Sequence, residues 1–385
     1  MRYTIGTSFG RTALYLGLKA VDVRNKEVIL PSFICTVVRH AVVLAGGIPR
    51  FVDIDLENFS YNLDDLHRNI RLNTKAIVIV HYFGRPACNL QDVLKIARER
   101  DICVVEDCAH SLGAEWEGRK VGSFGDFSIF SLTKGMINFG GGVLVTGDEK
   151  IYQKARQLLD EEKSSLKDRI LDFPLILAYG LEQMIEKSIF DRVKKSIFKW
   201  WLLSLPMGIL AVRDLVIRAL KSPLSLISGR KKTNAERRLQ ETNLQPEGYP
   251  QGVGMEPIIA SLARSQLRKL ESLIEQRRKV YSELHRIPNC HLKRNSEFHG
   301  RDVDTQLLFR FQDRDTNEVI EHCKSRGLLL RGTWPTHQRL WKGQDTRNVR
   351  TLEREFLIWN VNPDLNEREK ATFIEILEDC VKPPR

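Results

Sequence analysis

The chain has 385 residues, 42% of them hydrophobic, and a formal net charge of +11; that length buries a sizeable core and suggests two domains, and the basic balance favours anionic partners without choosing among nucleotide phosphates, nucleic acid and a membrane surface. Seven scattered cysteines with no CxxC pair argue against a disulfide framework or a zinc site and for a reducing cytoplasm. The amino end, MRYTIGTSFGRTALYLGL, has no clean apolar h-region, so no signal peptide is expected, and no run of 18 uncharged apolar residues marks a spanning helix.

In chain order, residues 1–150 alternate short Val- and Ile-rich runs with helical patterns. EVILPS, GIPRFVDID, KAIVIVHYFG, ICVVEDCA, DFSIFSL and GGVLVTG read as strands, and stretches such as LQDVLKIARERD read as helices between them. This alternation predicts an α/β domain with a mostly parallel sheet covered on both faces. Residues 151–255 are helical in pattern and strongly basic. From Glu256 a single long helix is expected over PIIASLARSQLRKLESLIEQRRKVYSELHR, from its 3.6-residue apolar period. The remainder of 256–385 (TQLLFRFQ, a helix over 317–326, LLLRG, EFLIWN and a closing helix) predicts a smaller α+β domain.

Ligands of an open α/β sheet sit at the carboxyl ends of its strands, and three pieces of chemistry fall there. VVEDCAH ends a buried strand in Glu106 and Asp107, with His110 just beyond. SIFSLTK ends another in Ser131, with Lys134 in the following loop. TSFGRTAL opens a helix at Gly10, Arg11 and Thr12. A buried lysine can lose its charge and attack carbonyls. A carboxylate at the neighbouring strand end can keep a heterocyclic nitrogen protonated, and a helix amino end can hold a phosphate. These are the three needs of pyridoxal phosphate. Taken singly, each piece has a plainer reading: a solvated loop lysine, a loop-capping acid, an ordinary helix start.

Together these segments resemble the DegT/StrS family of pyridoxal-phosphate-dependent sugar aminotransferases, which share the type I, aspartate aminotransferase-like fold. The resemblance runs through GRTALYLGL, EVILPSF, GGIPRFVDID, TKAIVIVHYFGRP, VVEDCAHSLGAEWEGRKVGSFGDFSIFSL and the K-x6-GG element from Lys134 to Gly142. It resumes at MEPIIASLARSQLRKLESLIEQRR, which matches the family's interdomain helix. The resemblance implies that Lys134 forms the Schiff base with the cofactor and that Asp107 pairs with the pyridinium nitrogen. It places His110 near the phenolic oxygen, and Ser131, Thr12 and the backbone at Arg11 on the phosphate. It further implies an amino-acid donor, glutamate in most members, and a keto-sugar acceptor, usually nucleotide-linked. The protein would then be a cytoplasmic homodimer with no nucleic acid partner, serving polysaccharide or amino-sugar synthesis. In LLLRGTWPTH, Arg331 and His337 are candidate substrate contacts, with Arg331 suited to a donor carboxylate.

Four departures from the family pattern bear on that expectation. Members carry an amino-terminal arm before the phosphate motif, whereas this chain begins at the motif, so either its start is late or the arm is dispensable. The loop before the lysine is S-L-T-K rather than the longer S-F-H-x-x-K. QGVGMEP stands where many members have Asn-Tyr-Arg before the interdomain helix. Cys35 of PSFICT falls where an aromatic usually covers the cofactor ring, and Phe33 points to the other face of an extended segment. Residues 187–232 hold eleven Lys and Arg against two Asp around the 13-residue apolar run from Trp200 to Val212. That run is too short to span a bilayer. It suits packing against the protein itself, or peripheral contact with the inner membrane face. Two competing readings follow. One is a sugar dehydratase, disfavoured because family dehydratases replace the lysine with histidine. The other is an altered, non-enzymatic membrane-surface or regulatory protein.

Overall fold

The computed structural model describes residues 3–161 except 137 and 139, then 254–284, 287, 290, 300–333 and 347–381. The basic segment 187–232 and His337 therefore lie outside the described residues. The first half forms a seven-stranded sheet from β1 (Tyr3–Thr7), β2 (Glu27–Pro31), β3 (Ile48–Val52), β4 (Thr74–Val80), β5 (Cys103–Asp107), β8 (Phe127–Ser131) and β9 (Gly142–Thr146), in the order β1-β9-β8-β5-β4-β2-β3. β6 (Glu115–Trp116) and β7 (Arg119–Lys120), a hairpin between β5 and β8 in the chain, form a small antiparallel sheet with β10 (Gly300–Arg301) in the order β10-β6-β7. The β2–β3, β2–β4, β4–β5 and β5–β8 pairs are parallel, and β9 and β1 close one side antiparallel.

All five residues of β2, EVILP, are buried, as expected of a strand covered on both faces. On one face Leu14, Leu16, Val28, Leu30, Val78, Val105 and Leu144 share a core with α1 (Gly10–Ala20) and α2 (Thr36–Leu44). On the other, Ile29, Ile77, Ile79 and Val104 pack with α4 (Leu90–Arg98) through Leu90, Val93, Leu94 and Ala97. Each such side chain contributes about 1.5–3 kcal/mol on burial, so the two apolar faces fix the register of the whole sheet. α3 (Leu63–Asn69) starts where the Asn62 side chain accepts the Asp65 N–H.

The C-terminal core is built on a second sheet of β11 (Gln306–Arg310), β13 (Phe356–Asn360) and β12 (Arg331–Gly332), in the order β11-β13-β12 and antiparallel throughout. α9 (Thr316–Ser325), α10 (Arg347–Glu355) and α11 (Glu367–Val381) accompany it. α9 is capped by the Asp315 carboxylate on the Asn317 N–H.

Three elements differ from the sequence expectation. β1, an edge strand with alternating exposure, is too polar in YTIGT to have been read as one. The expected single helix from Glu256 is two, α7 (Pro257–Leu267) and α8 (Leu270–Leu284), broken by a turn at Arg268 and Lys269 that neither Gly nor Pro announces. The core of the large sheet continues past residue 150 into α6 (Glu149–Glu161), where Ile151, Ala155, Leu158 and Leu159 are buried against α1 and β1.

The two cores meet along the 3₁₀ turn Tyr82–Gly84 and the strap before β11. Val303 and Thr305 donate their N–H groups to the carbonyls of Gly84 and Phe83 at 2.9 and 3.1 Å. Gly84 has φ +89° and would bring a Cβ within 2.8 Å of the Asp304 and Thr305 nitrogens, so only glycine fits. Arg85 stacks on the Tyr281 ring at 5.0 Å and faces Asp304 at 3.5 Å.

Candidate functional site

The registers gather the polar strand ends on one edge of the sheet. Val80 of β4 stands opposite Asp107 of β5, Asp107 opposite Ile129 of β8, and Ser131 opposite Gly142 of β9. Because β9 and β1 run antiparallel, Gly142 also stands opposite Thr7, just before α1 begins at Gly10. Asp107, Ser131, the start of β9 and the amino end of α1 therefore share one edge, the place where such sheets take ligands.

The run of three glycines serves this closeness. A Cβ at Gly142 would overlap the Phe9 carbonyl and the Gly10 nitrogen. One at Gly140 would come within 3.3 Å of the Ser8 carbonyl oxygen, and Gly141 has φ +97°. The Gly141 N–H donates to Ser8 O at 2.6 Å and its carbonyl accepts the Leu132 N–H at 3.0 Å. From the other side, a Cβ at Gly10 would meet Phe130 O at 3.3 Å and the Ser131 Cβ at 3.4 Å. The amino end of α1 thus lies directly against the end of β8. No side chain caps that helix and no acid occupies its first turn, so its amino end is polarised for an anion. Around it stand four hydroxyls: Ser8 and Thr12, with oxygens 3.1 Å apart, and Ser131 and Thr133, 3.0 Å apart. Sequence reading found Thr12 and Ser131; Ser8 and Thr133 come into view only through the folded approach of α1 to β8. The Arg11 guanidinium lies over the Phe9 ring at 4.4 Å, so it is the backbone of Arg11 that belongs to the helix end. Gly142→Ala is expected to push α1 off Ser131, lowering stability by about 1–3 kcal/mol as overpacking does and weakening phosphate-dependent ligand binding. A melt together with a pyridoxal phosphate titration measures both.

Asp107 is buried, and its Oδ1 accepts the Ala109 N–H at 3.0 Å. Burial pushes its carboxyl above the usual carboxylate range, against the opposing pull of the Ala109 N–H, His81 and Lys134. The same burial raises the Tyr82 phenol well up, and the nearby Asp107 adds to it. Lys134 belongs to α5 (Leu132–Gly135), a single helical turn, not to an extended loop. It is exposed, not buried as the sequence reading supposed, because its turn stands at the rim of the sheet edge.

Glu106, next to Asp107, points to the opposite face of β5 and is fully buried. It accepts the N–H groups of Gly122, Phe124 and Gly125 at 2.7, 2.6 and 2.7 Å, and His81 Nε2 lies 3.1 Å away. His81 Nδ1 accepts the Ala87 N–H at 3.0 Å, which leaves Nε2 as the donor to Glu106. Burial alone would raise the Glu106 carboxyl; His81 and the backbone donors bring it below its ordinary value. His81, Glu106 and Cys108 place ligating atoms within 4.8 Å of one another, but hydrogen bonds already occupy Glu106 and both imidazole nitrogens. The His81 N–H donates to Asp107 O at 3.1 Å, so this cluster also fixes the backbone at Asp107.

The other sequence candidates are placed as follows. His110 is buried, and its carbonyl accepts Thr305 Oγ1 at 3.1 Å from the strap before β11. Arg331 is exposed on β12, opposite Ile358. Phe33 is buried with Phe59, Tyr82 and Phe83, ring centroids 5.1–6.3 Å apart. Cys35 is the half-buried residue that precedes α2. Of QGVGMEP, Gly254 bridges Thr7, and Met255 packs on Gly6 and beside Leu132. No helix among the described residues is long and apolar enough to cross a membrane.

Residues 1–170 match the DegT/DnrJ/EryC1/StrS aminotransferase family model. The chain is 35% identical over 157 residues to the GDP-perosamine synthase of Escherichia coli O157:H7, covering 40% of this chain and 43% of that protein. It is 36% identical over 158 residues to the UDP-N-acetyl-3-dehydro-alpha-D-glucosamine 3-aminotransferase of Acidithiobacillus ferrooxidans, covering 40% and 42%. The aligned stretch thus spans about two-fifths of these relatives. The PLP form of the candidate sugar aminotransferase Spr1654 from Streptococcus pneumoniae superposes with a TM-score of 0.69 at 18% identity, covering 98% of this chain and 86% of that one. The two-core architecture is therefore the fold of these aminotransferases, and residues 1–170 of the chain are similar to the DegT/DnrJ/EryC1/StrS aminotransferase family.

Proposed function

We propose that the protein is a pyridoxal-phosphate-dependent aminotransferase that moves an amino group from an amino acid, glutamate first, to a nucleotide-linked keto-sugar in polysaccharide or amino-sugar synthesis. One observation carries this reading: Lys134, Asp107 and the uncapped amino end of α1 stand on a single sheet edge. The cofactor suits the residues present. The glycines at 140–142 let the amino end of α1, which no side chain caps, lie against the end of β8, and Asp107 is a buried acid whose ionised form suits a cation.

When bound, pyridoxal phosphate supplies a carbonyl that takes up the donor's amine and a ring that accepts the electrons of the cleaved C–H bond. The chain's own residues do the rest. The Arg11 backbone N–H and the hydroxyls of Thr12 and Ser131 hold the phosphate. Asp107, ionised against a ring N–H⁺, keeps that nitrogen protonated. Lys134 Nζ would be the base that moves the proton from the donor's α-carbon. His110 would lie near the ring oxygen, and Arg331 would hold the donor carboxylate with its guanidinium fork. The basic composition suits a sugar diphosphate. A cytoplasmic homodimer completes the reading.

The test is to add pyridoxal phosphate and then L-glutamate to wild type and Asp107→Asn. Wild type is expected to gain a visible band that bleaches with glutamate, and no band in a folded wild type would sink the proposal. A carboxyl raised by burial penalises the folded state, a loss that grows as pH climbs from the unfolded towards the folded pKa. Without cofactor at pH 7, Asp107→Asn is therefore expected to melt at or above wild type. Its gain in melting temperature on adding pyridoxal phosphate should be smaller.

A further inference from the structure

Lys134 is carried by a single helical turn, α5. One turn closes at most one or two internal hydrogen bonds, so its carbonyls need partners from elsewhere. Arg277 of α8 supplies one: its Nη2 donates to the carbonyl of Gly135, the residue after Lys134, at 2.5 Å across 142 residues of sequence. Arg277 is only 8% exposed, and burial pushes its guanidinium down to about 10. A cation is costly to bury unless it is well bonded. A short charge-assisted bond to the carboxyl end of a helical turn is a favourable use of it.

α8 makes attachments at successive turns of one face. Ile274 packs with Cys108, Ala114 and Val121, on the segment that follows Asp107. Arg277 grips Gly135. Val280, Tyr281 and Leu284 lie in the C-terminal core with Leu307, Phe309 and Leu357. The loop of Asp107, the turn of Lys134 and the C-terminal core are therefore fastened to one rigid element.

We propose that Arg277 is a positioning residue for Lys134: by holding the Gly135 carbonyl from α8, it fixes the lysine's amine relative to Asp107 and ties that placement to the C-terminal core. The inference rests on the aminotransferase reading.

Wild type, Arg277→Met and Arg277→Lys, each loaded with pyridoxal phosphate, are to be compared in two ways. The pH midpoint of the visible band is read first, then the single-turnover bleaching rate against L-glutamate concentration. A misplacement of about 1 Å costs on the order of 10²-fold in rate. Arg277→Met is thus expected to bleach ~30–100-fold more slowly, with the half-saturating glutamate concentration within about threefold of wild type, the mark of a loss confined to the transition state. Its band midpoint should move by about half a pH unit or more, because the amine's charged neighbours change distance. Arg277→Lys, which keeps a cation, should recover part of both effects, and it carries the test alone if the methionine variant does not fold. A folded variant within twofold of wild type in rate, or one whose rate falls with the band midpoint unmoved, overturns the proposal. A wild type without a lysine-dependent band is a different failure. It removes the aminotransferase reading and takes this inference with it.

Discussion

Lys134→Ala is expected to give a folded protein that lacks the lysine-dependent visible band with pyridoxal phosphate and transaminates about 10²- to 10⁴-fold more slowly, the range lost with a positioned general base. The fold should survive because Lys134 is exposed at the end of β8 and fills no core space. Exposed substitutions of this kind change stability by about 0.5 kcal/mol or less. Asp107, the helix end and the four hydroxyls all remain in the variant, so cofactor binding should weaken rather than vanish. This separates Lys134 from Gly142, where substitution moves the phosphate side itself. Single-turnover bleaching with glutamate, read beside a melt, makes the comparison. A folded Lys134→Ala protein with wild-type rate would remove the lysine from the mechanism and leave the sheet-edge cluster without its reactive group.

Glu106→Gln is expected to damage stability more than any other single change discussed, by about 3–5 kcal/mol, the cost of breaking a fully buried, hydrogen-bonded ionic cluster. The carboxylate accepts from three backbone N–H groups and from His81, donors on both oxygens. A glutamine must aim its NH₂ at one set of donors or the other, leaving donor against donor where no water enters. At about 2–4 °C per kcal/mol, the melting temperature should fall on the order of 10 °C. The pH dependence follows from the sign of the shift. The folded carboxyl is held below its ordinary value by His81 and the backbone donors despite its burial. Its contribution is therefore complete above the unfolded pKa and is lost as pH falls through the folded one. The gap between wild type and Glu106→Gln should be full at pH 7 and should shrink below about pH 4. Equal melting temperatures at pH 7 would show that the cluster does not hold the loop over 122–125. A gap that widens in acid would show that Glu106 is not ionised in the folded protein.

The two neighbours Glu106 and Asp107 show how differently one sequence motif is used. ED at the end of an apolar strand told that two acids arrive at the ligand edge. Alternation along a strand sends them to opposite faces. Which acid meets His81 and three amides, and which is left with a single N–H in an apolar setting, depends on a loop 16–19 residues from Glu106 in the chain. Their carboxyls accordingly move in opposite directions.

Much of the architecture was legible from local rules. β2, β4, β5 and β8 are apolar runs with clear ends, and the alternation of strands with helices dictates parallel pairing among them and a ligand edge at Asp107 and Ser131. What the sequence by itself determined was which chemical groups end the strands: Lys134, Asp107, Ser131 and the Gly10–Thr12 helix start. Tertiary structure alone decided the rest. The antiparallel return of β9 and β1 sets α1 against β8, so GGG reads as a close-packing device and Ser8 and Thr133 join the hydroxyl cluster. It placed Lys134 at an exposed rim rather than in a core. It broke the expected long helix at Arg268 and aimed Arg277 at the lysine's own turn. The physical reason is one of range. Periodicity and turn chemistry are written within a few residues of each other, whereas a bond such as that from Arg277 to Gly135 exists only once two hydrophobic cores, each specified by its own segment, have packed together.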